Sequence, residues 1–318
     1  MIKTEDMFHA GIPTFMGSDY IGLEKVSKYD IGVIGVPLDF GSSYRTGSKY
    51  GPRVIREYSA WDRVDGMEYY DYNTKSPIKS NAFKIGDLGD ISIWPGDYKA
   101  SQTSIIEVVE KIRQNAFPLI LGGDHSITYG AYIGCKKGFD KGGRIGLLHF
   151  DAHNDVEDKC LTLPEIWHGN VFRKLIEEQH LNPKNMLSIG IRGIVNKKWY
   201  DYAVAKEIKI MTANDVNSTP VSETIKEIHN FFKECDGIYV SFDIDSLDIT
   251  LSQGTGVPKY GGLRAEDVVE ILRSLRALNT VGFDLVEVNP KYDTNGSTVF
   301  LACELLYNFL AFGLKVKK

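Results

Sequence analysis

Asp151, His153 and Asp155 stand at i, i+2 and i+4 directly after the apolar run 147–150. In extended backbone, alternate side chains share a side, so two carboxylates and an imidazole converge on one small volume. Groups held that close repel one another or stay desolvated unless a cation lies among them. Acidic residues after a strand also simply cap the next helix, and for this stretch alone that reading competes. It weakens because two similar clusters occur elsewhere. In Gly122-Gly123-Asp124-His125-Ser126, after the apolar run 117–121, the glycines let the backbone turn sharply and bring His125 over the strand end. In Ser241-Phe242-Asp243-Ile244-Asp245, the two aspartates again form an i, i+2 pair at the end of an apolar run. Four carboxylates (Asp151, Asp155, Asp243, Asp245) and two imidazoles (His125, His153) balance two divalent cations when the histidines are neutral. Mixed oxygen and nitrogen ligation without thiolate points to Mn²⁺, with Ni²⁺, Fe²⁺ and Zn²⁺ as alternatives.

These clusters need a scaffold that brings strand ends together. Strand-like runs are expected at 30–36, 83–86, 117–121, 144–150, 186–190, 208–211, 238–243 and 280–283. Helix-like runs are expected at 51–59, 101–114, 171–179, 221–235, 265–275 and 299–314. In the second of these Ile105, Val108, Val109 and Ile112 form one stripe. Such alternation predicts a mainly parallel sheet with helices on both faces, in which ligands bind outside the carboxyl ends of the strands. The Gly/Ser-rich loop 41–47 lacks GxGxxG spacing, which excludes a dinucleotide site there. Residues 1–28 read as a lead-in wrapping the domain surface or a subunit contact, and with no linker or internal repeat the 318 residues read as a single domain.

The chain is 43% hydrophobic and 25% charged, with a net charge of −5 and no Lys/Arg-rich face. That balance argues against nucleic-acid and anionic-membrane partners and suits a cationic small molecule. Four scattered cysteines with no CxxC suit a reducing, cytoplasmic setting, and no signal peptide or 18-residue apolar span is present.

The blocks GGDHS, DAHND and SFDIDSLD, in this order, resemble the metal-binding motifs of the ureohydrolase (arginase–agmatinase) family. Segments 30–53, 189–193, 255–263 and 282–290 are similar to its agmatinase-like branch, so the resemblance covers nearly the whole chain. It implies a three-layer α/β/α fold around a mainly parallel eight-stranded sheet, and two metal ions held by His125, Asp151, His153, Asp155, Asp243 and Asp245, with one aspartate of each pair bridging. It further implies that Glu287 accepts the substrate guanidinium, that His168 near the mouth aids proton transfer, and that Asp155 also moves a proton. The implied reaction is hydrolysis of a guanidino compound to urea and an amine, with agmatine giving putrescine as the first expectation. Guanidinobutyrate, guanidinopropionate, arginine and formiminoglutamate are the alternatives. A homo-oligomer, trimeric or hexameric, is implied as well. A metal-binding relative without hydrolase activity is the competing reading. His168 and Glu287 speak against it, because neither is needed merely to hold metal.

The chain departs from the family pattern at Ile249, where a proline is usual, and in the following 250–253. The acidic pair Glu157 and Asp158 is expected on the rim of the site, where it attracts an ammonium tail and repels a carboxylate. His149 is expected on the opposite side of the strand from Asp151, in the core or supporting the ligands.

Overall fold

The computed structural model describes residues 11–139 and 143–315. The first ten residues of the lead-in therefore lie outside the described residues. Eleven strands are labelled β1 (Asp19–Tyr20), β2 (Ile31–Gly35), β3 (Glu68–Asp71), β4 (Ser76–Lys79), β5 (Ile85–Asp90), β6 (Phe117–Leu121), β7 (Ile145–Phe150), β8 (Met186–Ile191), β9 (Lys209–Thr212), β10 (Gly237–Asp243) and β11 (Thr280–Val286). The α-helices are α1 (Gly51–Ser59), α2 (Tyr98–Arg113), α3 (Ile127–Gly138), α4 (Val171–Glu177), α5 (Lys197–Ala205), α6 (Ala213–Asn217), α7 (Val221–Phe232), α8 (Ala265–Ser274) and α9 (Ser297–Asn308).

Nine strands form one parallel sheet in the order β1-β5-β2-β6-β11-β10-β7-β8-β9, and β3 and β4 pair separately as an antiparallel hairpin. Every residue of β6, β7, β10 and β11 is buried, as strands covered on both faces require. One apolar layer joins Ile55, Ile228, Val268 and Leu306 from α1, α7, α8 and α9. The other joins Ile105, Ala131 and Phe172 from α2, α3 and α4. Among the described residues no helix is long and apolar enough to cross a membrane.

The sheet has nine strands where eight were expected, and the extra one is β1. It is a two-residue exposed edge paired with β5, too short to give a period-2 signal in the sequence. Helix α3 was not expected at all. Gly130, Gly134 and Gly138 depress its helix propensity. The same glycines let it press onto α2: a Cβ on Gly134 would lie 2.5 Å from the Ile106 carbonyl, and one on Gly138 2.5 Å from that of Glu110. Tertiary contact overrides propensity there. The last helical run, expected over 299–314, is α9 continued by a π-helical turn, Phe309–Gly313.

The lead-in is fastened through Arg56 of α1. Its guanidinium grips both Asp87 oxygens at 2.8 and 3.0 Å and Asp90 at 2.6 Å, while Asp87 also accepts the Phe15 amide. A buried charge is matched on every side in this way.

Candidate metal centre and active site

Four adjoining strands, β6, β11, β10 and β7, end at one place. The residues just beyond β6 (His125), β11 (Glu287) and β7 (Asp151, His153, Asp155), together with Asp243 ending β10 and Asp245 after it, share that edge. Gly123 permits the approach, since a Cβ there would lie 1.8 Å from the Leu38 carbonyl oxygen. Asp155 and Glu287 adopt left-handed backbone, φ +47° and +63°, which a non-glycine residue holds only where its surroundings enforce it.

His125 Nδ1 faces Asp151 Oδ2 at 3.0 Å, Asp155 Oδ2 at 3.1 Å and Asp243 Oδ2 at 3.4 Å. It makes no hydrogen bond to any of them, although it is buried. His153 Nδ1 lies 3.3 Å from Asp151 Oδ1 and 3.2 Å from Asp245 Oδ2. Asp151 thus presents one oxygen to each imidazole. Asp243 Oδ1 accepts the Asp245 amide at 2.7 Å, and Asp245 Oδ1 accepts the Ala152 amide at 3.0 Å, which aims the remaining oxygens inward. Burial, and then the charges of Asp245 and Asp151, push the Asp243 carboxyl well above the usual carboxylate range. Crowded carboxylates facing bare imidazole nitrogens are a donor set that a divalent cation fits. Among the described residues two sets converge closely enough to hold one: His125, His149, Asp151 and Asp155, and Asp151, His153 and Asp245.

The presence of His149 in the first set corrects the sequence reading. It was expected across the strand from Asp151, yet at i, i+2 the two share a side. His149 Nε2 donates to Asp151 Oδ2 at 2.9 Å, and its Nδ1 faces the Ser188 hydroxyl at 3.0 Å. It is buried, as expected, and acts on Asp151 directly.

Above the cluster, Glu287 Oε1 accepts the His125 amide at 3.0 Å and faces His168 Nδ1 at 3.0 Å. Its Oε2 is buried and has no hydrogen-bond partner among the described residues. His168 Nε2 faces the Ser43 amide at 3.1 Å and the Ser43 hydroxyl at 2.8 Å. With Nε2 accepting the amide, the ring holds its proton on Nδ1, toward Glu287. Burial opposes a second proton, but the hydrogen bond and charge of Glu287 outweigh it and push His168 up to about 9. Protonation there would cost the Ser43 amide its acceptor. A pocket of about 90 Å³ opens over these groups, lined by Ser43, His153, Asp155, Glu157, Trp167, His168, Gly169, Asp243, Asp245, Val257 and Glu287.

Of the acidic pair expected on the rim, only Glu157 lines the pocket. Its carboxyl is pushed up to about 7 by burial and then by Asp155, so it carries full charge only above that pH or beside a cation. Asp158 turns away and pairs with Arg173 of α4 at 2.6 Å and with the Trp199 indole at 3.3 Å. A partner on a helix fifteen residues on was not visible in local sequence. The Ile249 loop stands aside from the pocket, and Ile249 donates its amide to the Gly261 carbonyl at 3.3 Å, a bond proline cannot make.

Sequence reasoning missed two supports. Ser43 lies in the Gly/Ser loop, whose spacing speaks only against a dinucleotide site; Asp124 holds that loop in place by accepting the Gly41 amide at 2.7 Å. Arg192 donates to six carbonyls, those of Gly190, Asp245, Ser246, Leu247, Lys259 and Tyr260, and so fixes the backbone carrying Asp245.

The family model described as "Arginase family" matches residues 29–311. A guanidino acid hydrolase, mitochondrial, from Homo sapiens is 37% identical over 289 residues, covering 88% of this chain and 77% of that protein. An agmatinase, mitochondrial, from Gallus gallus is 36% identical over 284 residues, covering 88% and 80%. Among solved structures, proclavaminate amidino hydrolase from Streptomyces clavuligerus superposes with a TM-score of 0.82 at 31% identity, covering 95% of this chain and 97% of that one.

Proposed function

Because the chain belongs to the arginase family, as a hydrolase of guanidino compounds, we propose that it hydrolyses agmatine to urea and putrescine, as one catalytic unit holding two divalent ions. His125, Asp151, Asp155 and Asp243 would hold one ion, and Asp151, His153, Asp243 and Asp245 the other, with Mn²⁺ favoured by the oxygen-rich donor set. Such ions supply a water acidic enough to act as a nucleophile near neutral pH.

The observation that carries this reading is Glu287 Oε2, a buried carboxylate oxygen with no hydrogen-bond partner among the described residues, aimed into a pocket beside the cluster. A buried acceptor left unmatched is costly, and a guanidinium N–H meets it with a charge-assisted bond. Held there, the guanidinium carbon lies against the cluster in a fixed orientation. Asp155, whose Oδ2 faces His125, and His168, which lines the pocket and holds its Nδ1 on Glu287, are the groups available to move protons.

The finer choice of agmatine rests on Glu157, which lines the pocket and would stand beside the tail of a guanidino compound held by Glu287. A tail ending in ammonium is attracted and one ending in carboxylate repelled. A charge pair near a surface is worth up to roughly 4 kcal/mol at about 4 Å before desolvation and screening reduce it. The expected order of kcat/KM is agmatine above arginine above guanidinobutyrate, and Glu157→Gln is expected to narrow the spread severalfold. Lys259 favours a second reading. Its charge reaches Glu157, while its Nζ rests on the Arg192 carbonyl at 3.2 Å, so it is placed to greet a carboxylate tail instead. Guanidinobutyrate outrunning agmatine in the wild type would select the guanidino-acid reading and end the agmatine one.

A further inference from the structure

A buried carboxylate on β11 has no place in the chemistry above. Asp284 is completely buried, lies outside the pocket, and has no cationic side chain paired with it among the described residues. Three hydroxyls surround it instead. Tyr239 donates to Oδ2 at 2.6 Å and Ser241 donates to Oδ1 at 2.8 Å, while Thr128 Oγ1 lies 3.3 Å from the Ser241 oxygen. Ser241 and Asp284 are register partners on β10 and β11, so their side chains stand side by side on one face of the sheet. On its other side, the Ser241 oxygen lies 2.9 Å from His125 Nε2.

We propose that Asp284 is a positioning residue that, through Ser241, sets which nitrogen of His125 is free to bind metal. The Ser241 proton points to Asp284, so the Ser241 oxygen has only lone pairs to offer His125 and must accept the Nε2 proton. With the proton on Nε2, Nδ1 is bare, and Nδ1 is the atom facing Asp151, Asp155 and Asp243 at 3.0–3.4 Å. Replace the carboxylate by an amide and the direction reverses. The Asn nitrogen donates to Ser241, Ser241 turns its own proton toward Nε2, and His125 carries its proton on Nδ1, where it cannot ligate. The imidazole–hydroxyl–carboxylate chain extends the rule that the non-ligating nitrogen of a metal-binding histidine is fixed by its hydrogen-bond partner.

This inference rests on the reading that the cluster binds two ions, and the experiment separates the two. Full-length wild type, Asp284→Asn, Ser241→Ala and the double variant are stripped of metal and titrated with Mn²⁺ by calorimetry, with metal per chain counted in parallel. Wild type is expected to take two ions. Asp284→Asn and Ser241→Ala are each expected to keep one at wild-type affinity and to bind the other tenfold or more weakly. The double variant is expected to be no worse than Ser241→Ala alone, since both act through one chain of bonds. If Asp284→Asn does not fold, Ser241→Ala carries the same expectation. Wild-type affinity for both ions in either folded single variant would overturn the proposal, as would losses that simply sum in the double variant. A wild type that takes up no metal would overturn the metal reading itself, and this inference with it.

Discussion

Asp243→Ala is expected to abolish measurable turnover and to leave the protein with no more than one ion per chain. Asp243 ends β10 at the centre of the cluster, with Oδ2 3.4 Å from His125 Nδ1 and Oδ1 on the Asp245 amide. It lies beside both donor sets and is the aspartate, besides Asp151, that the reading assigns to both ions. Truncation removes a ligand from each and releases Asp245 from its aim, so the loss should exceed that of a residue serving one ion. Metal counting on the purified variant, beside circular dichroism to show that it folds, checks this. Two tightly held ions in Asp243→Ala would remove Asp243 from the ligand set.

Glu287→Gln is expected to lower kcat/KM by tens of fold to about a hundredfold while metal content stays at the wild-type level. The amide keeps the shape of the side chain and removes the charge. Hydrogen bonds to charged groups contribute about 1.5–3 kcal/mol each, and 1.4 kcal/mol corresponds to tenfold. Glu287 Oε1 is already engaged by the His125 amide and by His168, so Oε2 is the oxygen left for a guanidinium, while loss of the charge also lowers His168 from about 9. Steady-state kinetics on agmatine with parallel metal analysis gives the answer. Unchanged kinetics would return Glu287 to a structural role, holding His125 and His168 only. A parallel loss of metal would make it part of the metal site.

The sequence made the cluster readable wherever its chemistry is local. Asp151, His153 and Asp155, and Asp243 with Asp245, do face a common centre, but tight turns and not extended backbone bring them there: 152–153 bend, Asp155 is left-handed at φ +47°, and Asp245 lies in the 3₁₀ turn Ile244–Ser246. The two-residue period of extended backbone, applied two residues earlier, places His149 beside Asp151, where counting to the opposite side misplaced it. Glu287 and His168 were legible only through resemblance. Nothing in GFDLVEVNP or WHGN by itself says that the two side chains meet at 3.0 Å across 119 residues. Asp284 was invisible for a related reason. Its role depends on the register of β10 against β11, which pairs it with Ser241 over a separation of 43 residues. Ser43 and Arg192 act through loop backbone, where residue type carries little positional information. Helix α3 was lost because its glycines argue against a helix, while packing on α2 demands them.

The central claim is that this chain releases urea from a guanidino compound at the His125–Asp245 cluster. Its most direct test is urea measured from Mn²⁺-loaded wild type given agmatine, arginine, guanidinobutyrate and guanidinopropionate in separate reactions. The expected result is urea in one-to-one yield with the amine product, fastest from agmatine, lost on exhaustive chelation and restored when metal is returned. A folded protein carrying two ions per chain that releases no urea from any of the four, or one that releases it undiminished after chelation, would contradict the claim.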